Sequence, residues 1–212
     1  MSASAIEQGT PEWHALRIGK VTASRVADVA RKLKGGGVSK DRDRYMGELI
    51  AERMTGAPSK RFVNADMEWG TLNEDAARMA YSMFADATIE QVAFVIHPVI
   101  AQSGASPDGL VGEDGLVEIK CPATHTHIAT LLGAPIDPDY ATQMLWQMAC
   151  TGRGWCDFVS FDPRMPPDMQ LHVVRFERDD VRIAQLEAEV RKFLAELAET
   201  EAALVRRYRE AA

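Results

Sequence analysis

Leu116-Val117-Glu118-Ile119-Lys120-Cys121-Pro122 constrains this chain more than any other stretch. It alternates like a strand, and two of its alternating positions carry a carboxylate and an amine. Side chains alternate faces along a strand, so Glu118 and Lys120 share one side while Val117, Ile119 and Cys121 share the other. Just upstream, Ser106-Pro107-Asp108-Gly109 is a turn, and Asp108 comes alongside if the segment between folds back. Two carboxylates and a lysine suit a divalent cation held by hard oxygen ligands, as in metal-assisted phosphodiester hydrolysis. A hairpin with a surface ion pair competes with that reading, and local pattern alone divides evenly between them.

The rest of the chain narrows the choice. Its 212 residues allow one domain with a sizeable core. No apolar run reaches membrane-spanning length, and Met1-Ser2-Ala3-Ser4 leads into no signal segment. Three cysteines, Cys121, Cys150 and Cys156, match no disulfide framework, so a reduced cytosolic setting is expected. The net charge of -7 is unevenly spread: up to residue 61 there are 12 Lys/Arg against 7 Asp/Glu. A local basic surface of that kind permits a nucleic-acid partner despite the acidic total.

Pro11 to Arg17 reads as a short helix ended by Gly19. Thr22 is placed to cap a helix reaching about Leu33, with Val26, Val29, Ala30 and Leu33 inward. Thr22 and Ser24 there could instead meet a phosphate with Arg17, although a simple cap is the commoner role. Lys34 to Lys40 is a Gly-rich basic loop without the pattern of a nucleotide-binding loop. Helices are expected over Arg42 to Met54 and Asp66 to Phe84. The second would turn Leu72, Ala76, Met79, Ala80 and Met83 to the core, with Glu74 either paired to Arg78 or facing the carboxylates.

Thr88 to Val92, Ala93 to Ile100, Leu110-Val111 and Leu116 to Cys121 suggest a small mixed sheet. His125 and His127 stand two apart with no second pair to complete a structural zinc site. A helix from Asp137-Pro138 to Cys150 carries Tyr140, Gln143 and Gln147 on nearby turns; glutamines facing a site could orient an attacking water or a backbone phosphate, but exposed glutamine is the plainer expectation. Trp155 to Phe161 and Leu171 to Phe176 form a hairpin with a longer loop. Asp180 to Arg209 is an amphipathic helix, suited to covering the sheet or to an interface.

Taken in order, these segments resemble the phage lambda-type alkaline exonucleases, among the YqaJ-like viral recombinase nucleases of the PD-(D/E)XK superfamily. The likeness is carried by Trp13-His14-Ala15-Leu16-Arg17, Thr22-Ala23-Ser24, Trp69-Gly70 with Glu74, Ser106-Pro107-Asp108-Gly109 and Glu118-Ile119-Lys120-Cys121-Pro122. Tyr140 with Gln143, Trp155, Phe161-Asp162-Pro163-Arg164-Met165 and Leu171-His172-Val173-Val174 extend it.

The resemblance implies an α/β, restriction-endonuclease-like core with a central mixed β-sheet flanked by helices. We expect residues 1–212 to be a single nuclease domain, with 1–10 a loose lead and 180–209 a C-terminal helix. The implied activity is 5′ to 3′ degradation of one strand of linear double-stranded DNA from 5′-phosphorylated ends, releasing 5′-mononucleotides. The 3′ overhangs left behind would serve a single-strand annealing recombinase. By the same resemblance, Asp108 and Glu118 with the Ile119 carbonyl would ligate Mg²⁺, for which Mn²⁺ would substitute, with two ions per site. Lys120 would orient or help deprotonate the attacking water, Glu74 would support the metal site, and Gln143 takes the family's glutamine position. Arg17, Thr22, Ser24 and Ser106 would hold the 5′-phosphate.

A homotrimeric ring, no membrane association, and a prophage origin with a place in the bacterial cytoplasm complete the expectation. Leu145 departs from the pattern, standing where many relatives have a second glutamine. An endonuclease or single-strand-specific repair nuclease of the same superfamily is the alternative, and a non-catalytic DNA-binding recombination protein a further one.

Overall fold

The stretch around Glu118 lies at the centre of a five-stranded sheet. The computed structural model describes residues 6–33, 35, 37–59 and 64–209, so Lys34 and Gly36 of the basic loop and the first half of the N-terminal lead lie outside the described residues. In chain order come α1 (Pro11–Arg17), β1 (Val21–Thr22), α2 (Val26–Ala30), α3 (Lys40–Thr55) and α4 (Ala65–Ala85). Next are β2 (Ile89–Glu90), β3 (Val95–His97), β4 (Ile100–Ala105), β5 (Gly109–Val111) and β6 (Gly115–Lys120). Then follow α5 (Thr124–Leu131), α6 (Pro138–Thr151), β7 (Trp155–Phe161), β8 (Leu171–Glu177) and α7 (Asp180–Arg209).

The main sheet has the order β2-β5-β6-β7-β8, with β6 and β7 parallel and the other neighbours antiparallel. Parallel pairing needs a crossover, and α5 and α6 supply it. A second sheet, β1-β4-β3, stands apart from it. The single small sheet expected from the sequence is therefore two, and the expected strands from Thr88 to Ile100 shrink to β2 and β3.

Alternation along β6 holds as read. Val117, Ile119 and Cys121 pack with Ala77 and Tyr81 of α4, while Leu116 packs with Met144, Leu145 and Met148 of α6. The sheet is thus flanked by α4 on one face and by α6 with Ile183 of α7 on the other. α6 also serves the second sheet: Trp146 is buried and its Nε1–H donates to Ser103 Oγ at 3.0 Å, whose hydroxyl donates to Val21 O at 2.7 Å. α7 covers the fold with Val190, Phe193 and Leu197, each such side chain contributing about 1.5–3 kcal/mol on burial.

Helix ends follow local chemistry. Ser39 accepts from Arg42 N at 3.1 Å at the start of α3, and Gly56 closes it in the left-handed region at φ 67°. Asp137 and Pro138 open α6, and Gly152 ends it.

Two helix expectations need correction. Thr22 does not cap α2: it lies in β1, paired in parallel with Gly104, and precedes a 3-10 turn (Ala23–Arg25) without a side-chain capping hydrogen bond, which leads into a short α2. In α4 most of the stripe assigned to the core points outward, with Leu72 80%, Met79 69% and Met83 79% exposed and Phe84 also bare, while Ala80 alone of the stripe packs against the core. The helix is rotated by polar anchors. Tyr81 Oη–H donates to Asp157 Oδ2 at 2.7 Å, and Arg78 Nε–H reaches Asp108 O at 3.3 Å.

The three cysteines are free and buried, and burial, with nearby carboxylates, pushes the Cys121 thiol up to about 12. Both ring nitrogens of His127 are engaged, at 2.7 Å from Ser160 Oγ and 2.8 Å from Met169 O.

Candidate active site

Asp108 reaches Glu118 because β5 pairs antiparallel with β6. Gly109 stands opposite Val117, which sets Asp108 one step further on, beside Glu118. Its Oδ2 accepts the Ile119 N–H at 2.6 Å, fixing the carboxyl against the strand. Glycine is required next to it, since a Cβ at Gly109 would collide with the Ile89 side chain.

Glu118 is fully buried and three side chains converge on it. Lys120 Nζ lies 2.5 Å from Oε1, Gln143 Nε2–H donates to the same oxygen at 2.7 Å, and Gln147 Nε2–H donates to Oε2 at 2.6 Å. The two glutamines sit four residues apart on α6, so they stack on one helix face and meet both oxygens of one carboxylate. Exposed glutamine was the plain expectation; Gln143 is half-buried and Gln147 completely buried. The site-facing alternative holds for both, and Gln147, which the sequence reading gives no role of its own, stands as one amide in the apolar run Met144-Leu145-Trp146-Gln147-Met148.

The electrostatics describe a site with surplus negative charge. Burial, then the neighbouring Glu118, hold the Asp108 carboxyl well above the ordinary range, against the pull of Lys120. Burial alone would lower Lys120, but the Glu118 and Asp108 carboxylates outweigh it and keep the amine above its ordinary value. Lys120 therefore carries its proton at neutral pH and in this state can orient a water but not take its proton. Its Nζ also lies 4.7 Å from the Tyr140 ring centroid.

Glu74 adds to the charge felt by Asp108. It meets Arg78 at 2.5 Å, and Arg78 in turn holds the Asp108 carbonyl, so the surface pair and the place beside the carboxylates are one arrangement.

This donor set fits a hard cation. Mg²⁺ binds through one or two carboxylates and keeps several waters, so it needs no closed protein cage. Among the described residues no group of three or more His, Cys, Asp or Glu side chains forms such a cage. The crowded pair of half-buried Asp108 and fully buried Glu118 offers oxygen ligands whose mutual repulsion a cation would relieve.

The phosphate candidates divide. Arg17, Thr22 and Ser24 line one cleft of about 1040 Å³, together with Lys20, Arg25 and Arg44. Asp108, Glu118 and Lys120 do not line it, and neither does Ser106. Thr22 Oγ1 lies 3.5 Å from Ser24 Oγ, while Arg25 is already bound to Asp28 and Glu48. Ser106 is taken up locally: its hydroxyl donates to Ala93 O at 2.6 Å and accepts from Trp13 Nε1–H at 3.0 Å. Trp13 in turn carries Arg17, whose Cζ lies 3.8 Å from the ring centroid. The cleft and the carboxylates are joined through β4, since Thr22 pairs with Gly104, four residues before Asp108. Those four residues span at most about 14 Å of extended chain.

Residues 12–154 match the YqaJ-like viral recombinase domain. The structure resembles that of an alkaline exonuclease, LHK-Exo from Laribacter hongkongensis, at 50% identity and a TM-score of 0.87, covering 96% of this chain and 100% of that one. LHK-Exo in complex with dAMP matches at 50% identity and 0.88, with the same coverage. A phage related exonuclease from Haemophilus somnus 129PT shares the fold, with a TM-score of 0.68 at 15% identity over 87% of this chain and 96% of its own. No curated protein matches the chain.

Proposed function

This chain belongs to the YqaJ-like viral recombinase domain family, and we propose that it enters linear duplex DNA at a 5′-phosphorylated end and degrades one strand in the 5′ to 3′ direction. It is an exonuclease, an enzyme that hydrolyses DNA and uses a divalent cation. Release of 5′-mononucleotides is supported by the relative that holds dAMP. The remaining 3′ overhang would suit a single-strand annealing recombinase.

The observation that carries the site is the crowding of Asp108 against Glu118, with Lys120 protonated on the latter. In our reading Asp108, Glu118 and the Ile119 carbonyl hold Mg²⁺, which Mn²⁺ can replace, and Glu74 supports a second ion. A bound cation would stabilise charge on the phosphoryl group and leaving oxygen and help form the nucleophile. Lys120 points a fixed positive charge and N–H donors at the attacking water. Gln143 holds Glu118 in place. Arg17, Thr22 and Ser24 grip the terminal 5′-phosphate, and Ser106 acts at one remove by fixing Trp13 beneath Arg17. A bidentate guanidinium is well suited to a terminal phosphate.

An end-labelled duplex tests this. In Mg²⁺ the protein should release labelled mononucleotide from 5′-phosphorylated linear DNA, more slowly from 5′-hydroxyl ends, and leave covalently closed circles intact. Equal attack on closed circles would refute an end-dependent enzyme and favour an endonuclease.

Assembly is proposed as a three-fold ring. Its support is the α4 stripe of Leu72, Met79 and Met83, an apolar helix face that the described residues leave exposed. Closed rings bury one patch against a different patch of the next copy. Wild-type protein should sediment as a trimer, and the double substitution Leu72→Glu with Met83→Glu should sediment as a monomer. A trimer that survives both charges would place the interface elsewhere.

No helix of the described residues is long and apolar enough to cross a membrane. The cytoplasm of a bacterial host, as a prophage product, is the setting we propose.

A further inference from the structure

Gln147 stands one helical turn beyond Gln143 and is completely buried, with Leu145, Trp146 and Met148 buried around it in the chain. A buried amide normally satisfies both of its ends. This one satisfies its nitrogen alone: Nε2–H donates to Glu118 Oε2 at 2.6 Å, while Oε1 has no partner among the described residues. A carboxylate only accepts, so the nitrogen must face it. Turning the amide over would set two oxygens against each other. A methionine would fill similar space without the orphaned acceptor, so packing gives no reason for an amide here. The reason lies at the other end of the bond. Oε1 of Glu118 is shared by Lys120 and Gln143, whereas Gln147 is the side-chain donor to Oε2.

We propose that Gln147 is a positioning residue for cation binding: by holding Oε2 of Glu118 it sets the carboxylate plane, so that the ion reaches Oε1 by taking the place of one of the two donors there. This rests on the reading that Asp108 and Glu118 hold the cation. Groups that orient a metal ligand without touching the metal typically alter affinity roughly 10- to 100-fold.

The test uses the full chain without DNA, titrated with Mg²⁺ in a calorimeter, and then the Mg²⁺ dependence of cleavage. Gln147→Met keeps the volume and removes the donor, while Gln147→His keeps a ring N–H able to reach Oε2. Asp108→Ala is the reference for a lost ligand, and Gln147→Leu stands in if Gln147→Met does not fold. Gln147→Met should bind Mg²⁺ about tenfold or more weakly, with a smaller loss of maximal rate at saturating Mg²⁺, and Gln147→His should recover much of the affinity. Unchanged Mg²⁺ affinity in Gln147→Met, or equal losses in the methionine and histidine variants, would overturn the positioning role. If Asp108→Ala loses Mg²⁺ while Gln147→Met does not, the positioning role alone falls. If Asp108→Ala binds Mg²⁺ as wild type does, the cation lies elsewhere and both readings fall.

Discussion

Lys120→Ala is expected to leave a folded protein that still binds DNA ends and cleaves them about 10³-fold more slowly, or not at all. Removing a preorganised donor from a site where charge develops costs about 10²–10³ in rate, and a group that also positions the nucleophile adds to that. Lys120 is placed for both tasks. It lies at the end of β6 with its side chain 24% exposed, close enough to solvent to meet a water, and its charge is held in place by Glu118. The substitution removes the counter-charge of two crowded carboxylates, so the metal-free protein should also lose stability. Saturating Mg²⁺ should restore it, because the ion replaces the missing positive charge. Single-turnover cleavage, end binding in Ca²⁺ and melting temperature with and without Mg²⁺ separate these effects. Cleavage at a near wild-type rate would remove Lys120 from the chemistry.

The local pattern revealed more of this site than of the fold around it. Alternation along Leu116 to Cys121 sets faces by backbone geometry alone, so the sharing of one side by Glu118 and Lys120 was legible before any tertiary contact was known. Thr22 was not legible in the same way. Its residue type suits a helix cap, and only a parallel partner more than 80 residues away, Gly104, makes it a strand residue. Glu74 stood open between two roles because an i,i+4 pair with Arg78 and a place beside Asp108 are compatible.

The α4 stripe fails more instructively. Periodicity marks Leu72, Ala76, Met79, Ala80 and Met83 as one apolar face, of which only Ala80 packs on the core, and it does not say whether this chain or another copy covers the rest. The face that packs inward holds Ala77 and Tyr81, a small residue and one with a hydroxyl, which a hydrophobicity pattern undervalues. Gln147 was ranked as exposed rather than site-facing for the converse reason. A polar side chain reads as solvent-facing, and only the buried carboxylate one strand away gives it a partner.

Asp108→Asn should abolish cleavage and yet make the metal-free protein more stable at pH values above the raised Asp108 value, by about 1–2 kcal/mol, the size common for stabilising substitutions. The sign follows from linkage. In the folded chain, burial and Glu118 hold the Asp108 carboxyl well above its unfolded value, so the folded state binds the proton more tightly. The stability this group contributes is complete at pH values below the unfolded carboxylate range. It is lost as pH rises through the raised folded value, and above that value the folded state bears the full cost of the charge. Asparagine carries no charge to bury and its Oδ1 can still accept the Ile119 N–H that Asp108 holds at 2.6 Å. The stability gap between the two proteins should therefore shrink on acidification. Mg²⁺ should raise the wild-type melting temperature by neutralising the carboxylates and leave the variant's nearly unchanged. Melting curves from pH 4 to pH 8, with and without Mg²⁺, give the result directly. A variant less stable than wild type without metal, or one with an undiminished Mg²⁺ response, would show that Asp108 is not the strained ligand of this site.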